Sequence, residues 1–178
     1  MGEIVIPQKA QFFCGVLYTE YFNLEAITDI LEKNFGSIIL RSQPFQFTET
    51  HYYEPEMGET IFRIFLGFDL LIGMDEIVQI KYVCNDLENQ KFSKEGKRKV
   101  NIDPGYCTLA KVVLPTTKNF QHRVYLRRGI YAEVTLRWRR GSFSPWEWTF
   151  KDYCRDESIK FFNNLREIYR VRIRGNGG

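Results

Sequence analysis

The chain has little of what marks several function classes. Among 178 residues there are two histidines, His51 and His122, in neither an HxxxH nor an HxH spacing. No metal-binding motif is therefore written into the sequence. The four cysteines, Cys14, Cys84, Cys107 and Cys154, are scattered and form no CxxC pair. That excludes a zinc-ribbon pattern and leaves them as expected free thiols of a reducing cytoplasm. No GxxxxGK[ST] occurs, so a P-loop has no support. No apolar run approaches the roughly 18 residues of a membrane span, and MGEIVIPQK lacks the sustained apolar stretch of a signal peptide. Gly2 does not read as a myristoylation site, because Ile6 stands where Ser or Thr is required. With no repeat, low-complexity tract or linker, the expectation is one cytoplasmic domain over 1–178, with 170–178 as a flexible tail and no membrane partner.

What the chain does have is aromatic side chains and segregated charge. Phe, Tyr and Trp make up 16% of it, including 15 Phe and 10 Tyr, which suits sheets and large buried areas. Residues 97–140 hold 11 of the 25 Lys and Arg but only two acids, Asp103 and Glu133, for a net +9; the 96 residues before them are net −8. Two lone carboxylates in such a field either neutralise it or do chemistry in it.

Hydrophobic periodicity orders the elements. Gln11–Tyr18 reads as a buried strand, and Asn23 caps a helix over 24–35 that Gly36 stops. Strands follow at Ser37–Leu40 and Ile61–Phe68, separated by Pro44 and the polar loop 51–60. A second helix is expected over Met74–Lys91, then a basic turn and the short strand VNID. That order is β-α-β-β-α-β, the ferredoxin-like arrangement. Beyond it, Pro104-Gly105 signals a turn, and Tyr106, Leu109, Ala110 and Val113 keep helical spacing, although Val112–Pro115 also suits a strand. The reading adopted is a helix. Arg128-Gly129 turns between strands HRVYL and IYAEVTLRW, and a final helix spans Glu157–Val171. The expected fold is α+β, a ferredoxin-like first half with an appended antiparallel β-hairpin and a C-terminal helix.

Six segments carry a resemblance. NIDPGY (101–106), TTK (116–118), HRVYL (122–126), GIYAEVTL (129–136), YYEPEMG (52–58) and PWEWTFKDY (145–153) resemble the uncharacterised prokaryotic domain-of-unknown-function family 4416. The resemblance spans nearly the whole chain. It implies small single-domain relatives and brings no activity with it.

The candidate chemistry centres on the basic segment. Asp103, ending a strand before Pro-Gly, would cap the following turn, or act as a metal ligand or base with its ionised form favoured. Glu133 shares a strand face with Tyr131 and Thr135, and that face, continuing to Arg137, is expected to be polar and solvated or cleft-lining. Thr116-Thr117-Lys118 offers hydroxyls and an ammonium to a phosphate, with backbone donors from the turn at Gly105. The leading reading is a binding module for a phosphate-bearing partner, a nucleotide or RNA. Asp103 and Gly105 would shape the site, Lys118, Arg123 and Arg137 would meet phosphate, and Trp138 or Trp148 would stack on bases, with His122 and Glu133 nearby. The alternatives are a metal-dependent phosphoester hydrolase and a protein-interaction or assembly factor using the aromatic hairpin. In the first, a divalent ion sits on Asp103, Glu133 and His122; no other cofactor is evident. Whether the protein is an enzyme stays open at this point.

Overall fold

Strand β1 (Ala10–Thr19) is buried along almost its whole length. It is covered on both faces, which is why it reads as an unbroken apolar run instead of an alternation. The computed structural model describes residues 2–175. After β1 come α1 (Leu24–Phe35), β2 (Ile38–Arg41), β3 (Phe45–Gln46), α2 (Glu54–Met57), β4 (Ile61–Ile72) and α3 (Ile77–Lys91). A small hairpin, β5 (Ser93–Lys94) and β6 (Lys97–Arg98), leads into β7 (Val100–Cys107). The second half adds β8 (Lys111–Thr116), β9 (Val124–Arg127), β10 (Ile130–Arg139), β11 (Ser142–Pro145) and α4 (Asp156–Gly175). The protein is α+β, with one large antiparallel sheet ordered β11-β10-β8-β7-β1-β4-β2, β3 pairing with β4 and β9 with β10.

Helices α1 and α3 cover one face. Asn23 Oδ1 accepts the Glu25 amide at 2.9 Å, and Gly36 leaves α1 at φ +85°, a conformation open to glycine. Ile27, Leu31 and Phe35 of α1 and Ile77 and Cys84 of α3 pack on Phe12, Cys14 and Val16 of β1. The opposite face carries Phe13 and Phe65, onto which α4 lays Phe161, Phe162 and Leu165. Each such ring, fully buried, contributes about 1.5–3 kcal/mol relative to exposure. α4 is longer at both ends than the Glu157–Val171 expected, and continues through 170–175; the remaining residues of the expected tail lie outside those described. The four cysteines are unpaired, and among the described residues no helix is long and apolar enough to cross a membrane.

Two expectations need correction. Residues 106–118 form no helix: β7 turns at Thr108–Ala110 into β8, with the Thr108 amide donating to Lys111 O at 2.9 Å. Tyr106 and Val113, read as one helical face, are opposite partners across that hairpin. They are buried for a reason of sheet register that a 3.6-residue period imitates. Val112, Val113 and Pro115 all disfavour a helix interior. Nor is Pro104-Gly105 a turn, for both residues lie within β7, paired with Cys14 and Phe13. Asp103 therefore sits mid-strand and caps nothing.

The sheet splits next to that residue. β7 and β8 are in register only at Tyr106–Val113 and Cys107–Val112. Above that seam the free edge of β7 is taken by α3: Glu88 Oε1 accepts the Ile102 amide at 2.6 Å, and Lys81 Nζ donates to Ile102 O at 3.3 Å. Buried backbone groups need partners, and here side chains supply them. The gap between this helix-capped edge and the β8–β10 layer is a cleft.

Candidate functional site

The cleft has a volume of about 770 Å³ and a lining rich in charge: Arg63, Lys81, Arg98, Lys118 and Arg123 against Glu56, Glu88, Asp103, Glu133 and Asp152. Four strands, two helices, the β8–β9 loop and the segment before α4 deliver these groups. Asp103 and Glu133, the two acids of the basic segment, line the same cavity.

The floor is organised by Arg63, 3% exposed on β4. Its Nη1 donates to Asp103 Oδ2 at 3.2 Å, and its Nε lies 2.8 Å from Asp152 Oδ2. The guanidinium stands 5.6–5.9 Å from the ring centroids of Phe47, Phe65 and Tyr153. Gly15 makes room for it, since a Cβ there would lie 2.9 Å from Tyr153 Oη and 3.0 Å from Arg63 Nη1. The two aspartates respond differently. Burial pushes the Asp103 carboxyl up, but Arg63, Lys81 and the neighbouring Asn101 side chain together hold it below its ordinary value. Burial also raises Asp152, and there Arg63 offsets only part of the effect. Asp103 is thus an ionised carboxylate, and with its side chain 27% exposed it opens to the cavity.

One wall is a polar stripe of α3, Lys81, Asn85, Glu88 and Asn89. Arg98 ties this wall to the loop at 51–60: Nη1 contacts Glu88 Oε2 at 2.5 Å and Asn101 Oδ1 at 3.0 Å, while Nη2 reaches Glu56 Oε2 at 3.1 Å. Acids from the negative first half thereby neutralise part of the basic segment. Glu88 is shifted upward by burial despite Lys81 and Arg98.

The mouth is built from the β8–β9 loop. Thr116 Oγ1 accepts the Lys118 amide at 3.2 Å, and Arg123 Nη1 donates to Lys118 O at 3.0 Å. Lys118 Nζ donates to Tyr52 Oη at 3.0 Å, which pulls that phenol's pKa down. No carboxylate partners Lys118 among the described residues. Glu133, expected on a solvated face, is 2% exposed. The cleft buries it because Arg123 Nε donates to its Oε2 at 2.8 Å and His122 Nε2 lies 3.2 Å from the same atom.

The other sequence candidates lie elsewhere. Gly105 packs against Phe13, whose Cζ would be 2.4 Å from an added Cβ, and does not line the cavity. His122 stacks on Trp148 at 5.0 Å, Trp148 on Trp146 at 5.1 Å, and the Arg137 guanidinium lies 3.8 Å from the Trp146 centroid. Trp138 is packed between Phe143 and Arg166. These rings are occupied with one another. Among the described residues no three His, Cys, Asp or Glu side chains group as a metal site.

Sequence reasoning missed Arg63, Asp152 and the α3 stripe. The stripe left a trace in Lys81, Asn85, Glu88 and Asn89, whose i, i+4, i+7, i+8 spacing places them on one helix face. Arg63 stood as a lone cation inside an apolar strand, IFRIFLGF.

Fold and cleft together define an α+β protein with a half-open, mixed-charge site at a split in its sheet. The chain belongs to the family described as Domain of unknown function (DUF4416), whose profile matches residues 8–169. The searches of curated proteins and of solved structures returned no match. Each of the six segments that carry the family resemblance delivers residues to the cleft: Tyr52 and Glu56, Asn101 and Asp103, Thr116–Lys118, Arg123, Glu133, and Asp152 with Tyr153.

Proposed function

We propose that the cleft binds a small phosphate-bearing molecule of nucleotide size, with its phosphate at the mouth. The convergence of all six resemblance segments on one cavity carries this reading. Lys118 supplies a cation without a carboxylate partner among the described residues, Arg123 a second cation, and Thr116 and Thr117 hydroxyls that suit an anion. A free small molecule fits better than RNA, because Trp146 and Trp148 stack on each other and Trp138 lies between Phe143 and the Arg166 guanidinium, away from the cleft lining. A metal-dependent hydrolase is less favoured. Asp103 already faces Arg63 and Lys81, and Glu133 faces Arg123 and His122, so a divalent ion would have to displace them. The unpaired thiols fit the reducing cytoplasm proposed as its location.

The test is calorimetric titration with inorganic phosphate and a nucleoside monophosphate at two salt concentrations. The expected result is binding that weakens as salt rises and falls about tenfold or more in Lys118→Ala. Absence of binding at millimolar concentrations of either probe would overturn the reading.

A further inference from the structure

We infer that the organic half of the ligand is a sugar or other polyol, read by Asp103 together with Asn85 and Asn89; this rests on the phosphate reading above. Asp103 Oδ2 accepts from Arg63, and the Asn101 side chain lies beside the carboxylate, but Oδ1 is 3.9 Å from Lys81 Nζ, beyond hydrogen-bond distance, and the side chain is partly open to the cavity. An ionised carboxylate only accepts, so it calls for a donor on the ligand. Asn85, half-buried, and Asn89, exposed, stand one turn apart on α3 and also line the cavity. Each carboxamide offers two donors and an acceptor.

The group that satisfies both demands is a hydroxyl, which donates to Asp103 and both donates to and accepts from the asparagines. Several hydroxyls on one small frame would use all three residues at once. An ammonium would serve Asp103 but could not accept from the carboxamides. The remaining lining suits a carbon skeleton, for Phe47, Leu114 and Phe150 bring apolar surface against which the C–H faces of a sugar pack. Polar end at the mouth, hydroxylated frame over the α3 wall: the class is a sugar phosphate or polyol phosphate. Asn85 and Asn89 are binding residues under this assignment, and α3 is the element that selects.

The experiment compares inorganic phosphate, ribose 5-phosphate and ribose by calorimetric titration, on the full chain and on Asn85→Ala/Asn89→Ala. Alanine keeps the helix, so the double variant folds. Ribose 5-phosphate should bind the unmodified protein about tenfold or more tighter than phosphate does. The double variant should bring the two within about threefold, with phosphate affinity unchanged. Equal affinities in the unmodified protein, or a preference that survives the double substitution, would overturn the sugar assignment while leaving phosphate binding intact. Failure of both phosphates to bind removes the proposed function itself, so the two failures are distinct.

Discussion

Arg63 of β4 reaches Asp103 of β7 across the intervening strand, 3.2 Å between Nη1 and Oδ2, by passing over Gly15 of β1. With no side chain on Gly15, the guanidinium crosses the middle strand where a Cβ would lie 3.0 Å from its Nη1.

Gly15→Ala tests that geometry. The new Cβ would lie 2.9–3.1 Å from Tyr153 Oη, Arg63 Nη1 and the Phe65 ring. Overpacking of this kind costs about 1–3 kcal/mol, and urea denaturation should show it as a lowered midpoint with an unchanged slope.

Asp103→Asn should make stability less sensitive to acid. The folded pKa of Asp103 is depressed, so its contribution is present above the unfolded value near about 4 and is lost as pH falls through the folded one. The variant should therefore be less stable than the parent at pH 7, by about 1–3 kcal/mol, with the difference closing in strong acid. Chemical denaturation across pH checks the sign.

Asp152 has the opposite sign. Burial raises its folded pKa, so its contribution favours the folded state below the ordinary carboxylate value and is lost as pH rises through the folded value. Asp152→Asn should flatten the decline in stability over that window, and the same denaturation series reads it.

Glu133→Gln removes a buried charge while keeping the shape. Arg123 is left with an uncompensated positive charge in a site where its side chain is 11% exposed. A loss of about 3 kcal/mol is expected, seen as a fall in Tm, and Glu133→Ala should be no milder.

The α+β class, the first three long elements and α3 were legible because burial there follows a simple period. Ile27, Leu31 and Phe35 are spaced as a helix face and are a helix face. Tyr106, Leu109 and Val113 share that kind of spacing yet belong to a hairpin, since opposite residues of two strands can fall at any sequence interval. In the site, the charge field pointed to Asp103, Lys118, Arg123 and Glu133, because a net +9 stretch must hold its acids close to cations. Arg63 and Asp152 escaped notice because their partners are 40 or more residues distant, and no local pattern encodes such a meeting. Arg137 and Trp138 drew attention as a basic-aromatic pair, but register sends them to the stacked rings and to α4.

The narrow seam between β7 and β8 has a mechanical consequence. Two register pairs at Tyr106 and Cys107 are all the ladder bonding that joins the strands on either side of the gap. The β8–β10 panel is otherwise held by side-chain packing, with Val112, Leu114 and Leu136 in the core that Phe13, Phe65 and α4 share. A guest held by α3 on one side and the Lys118 loop on the other would join the two sides where the strand ladder does not.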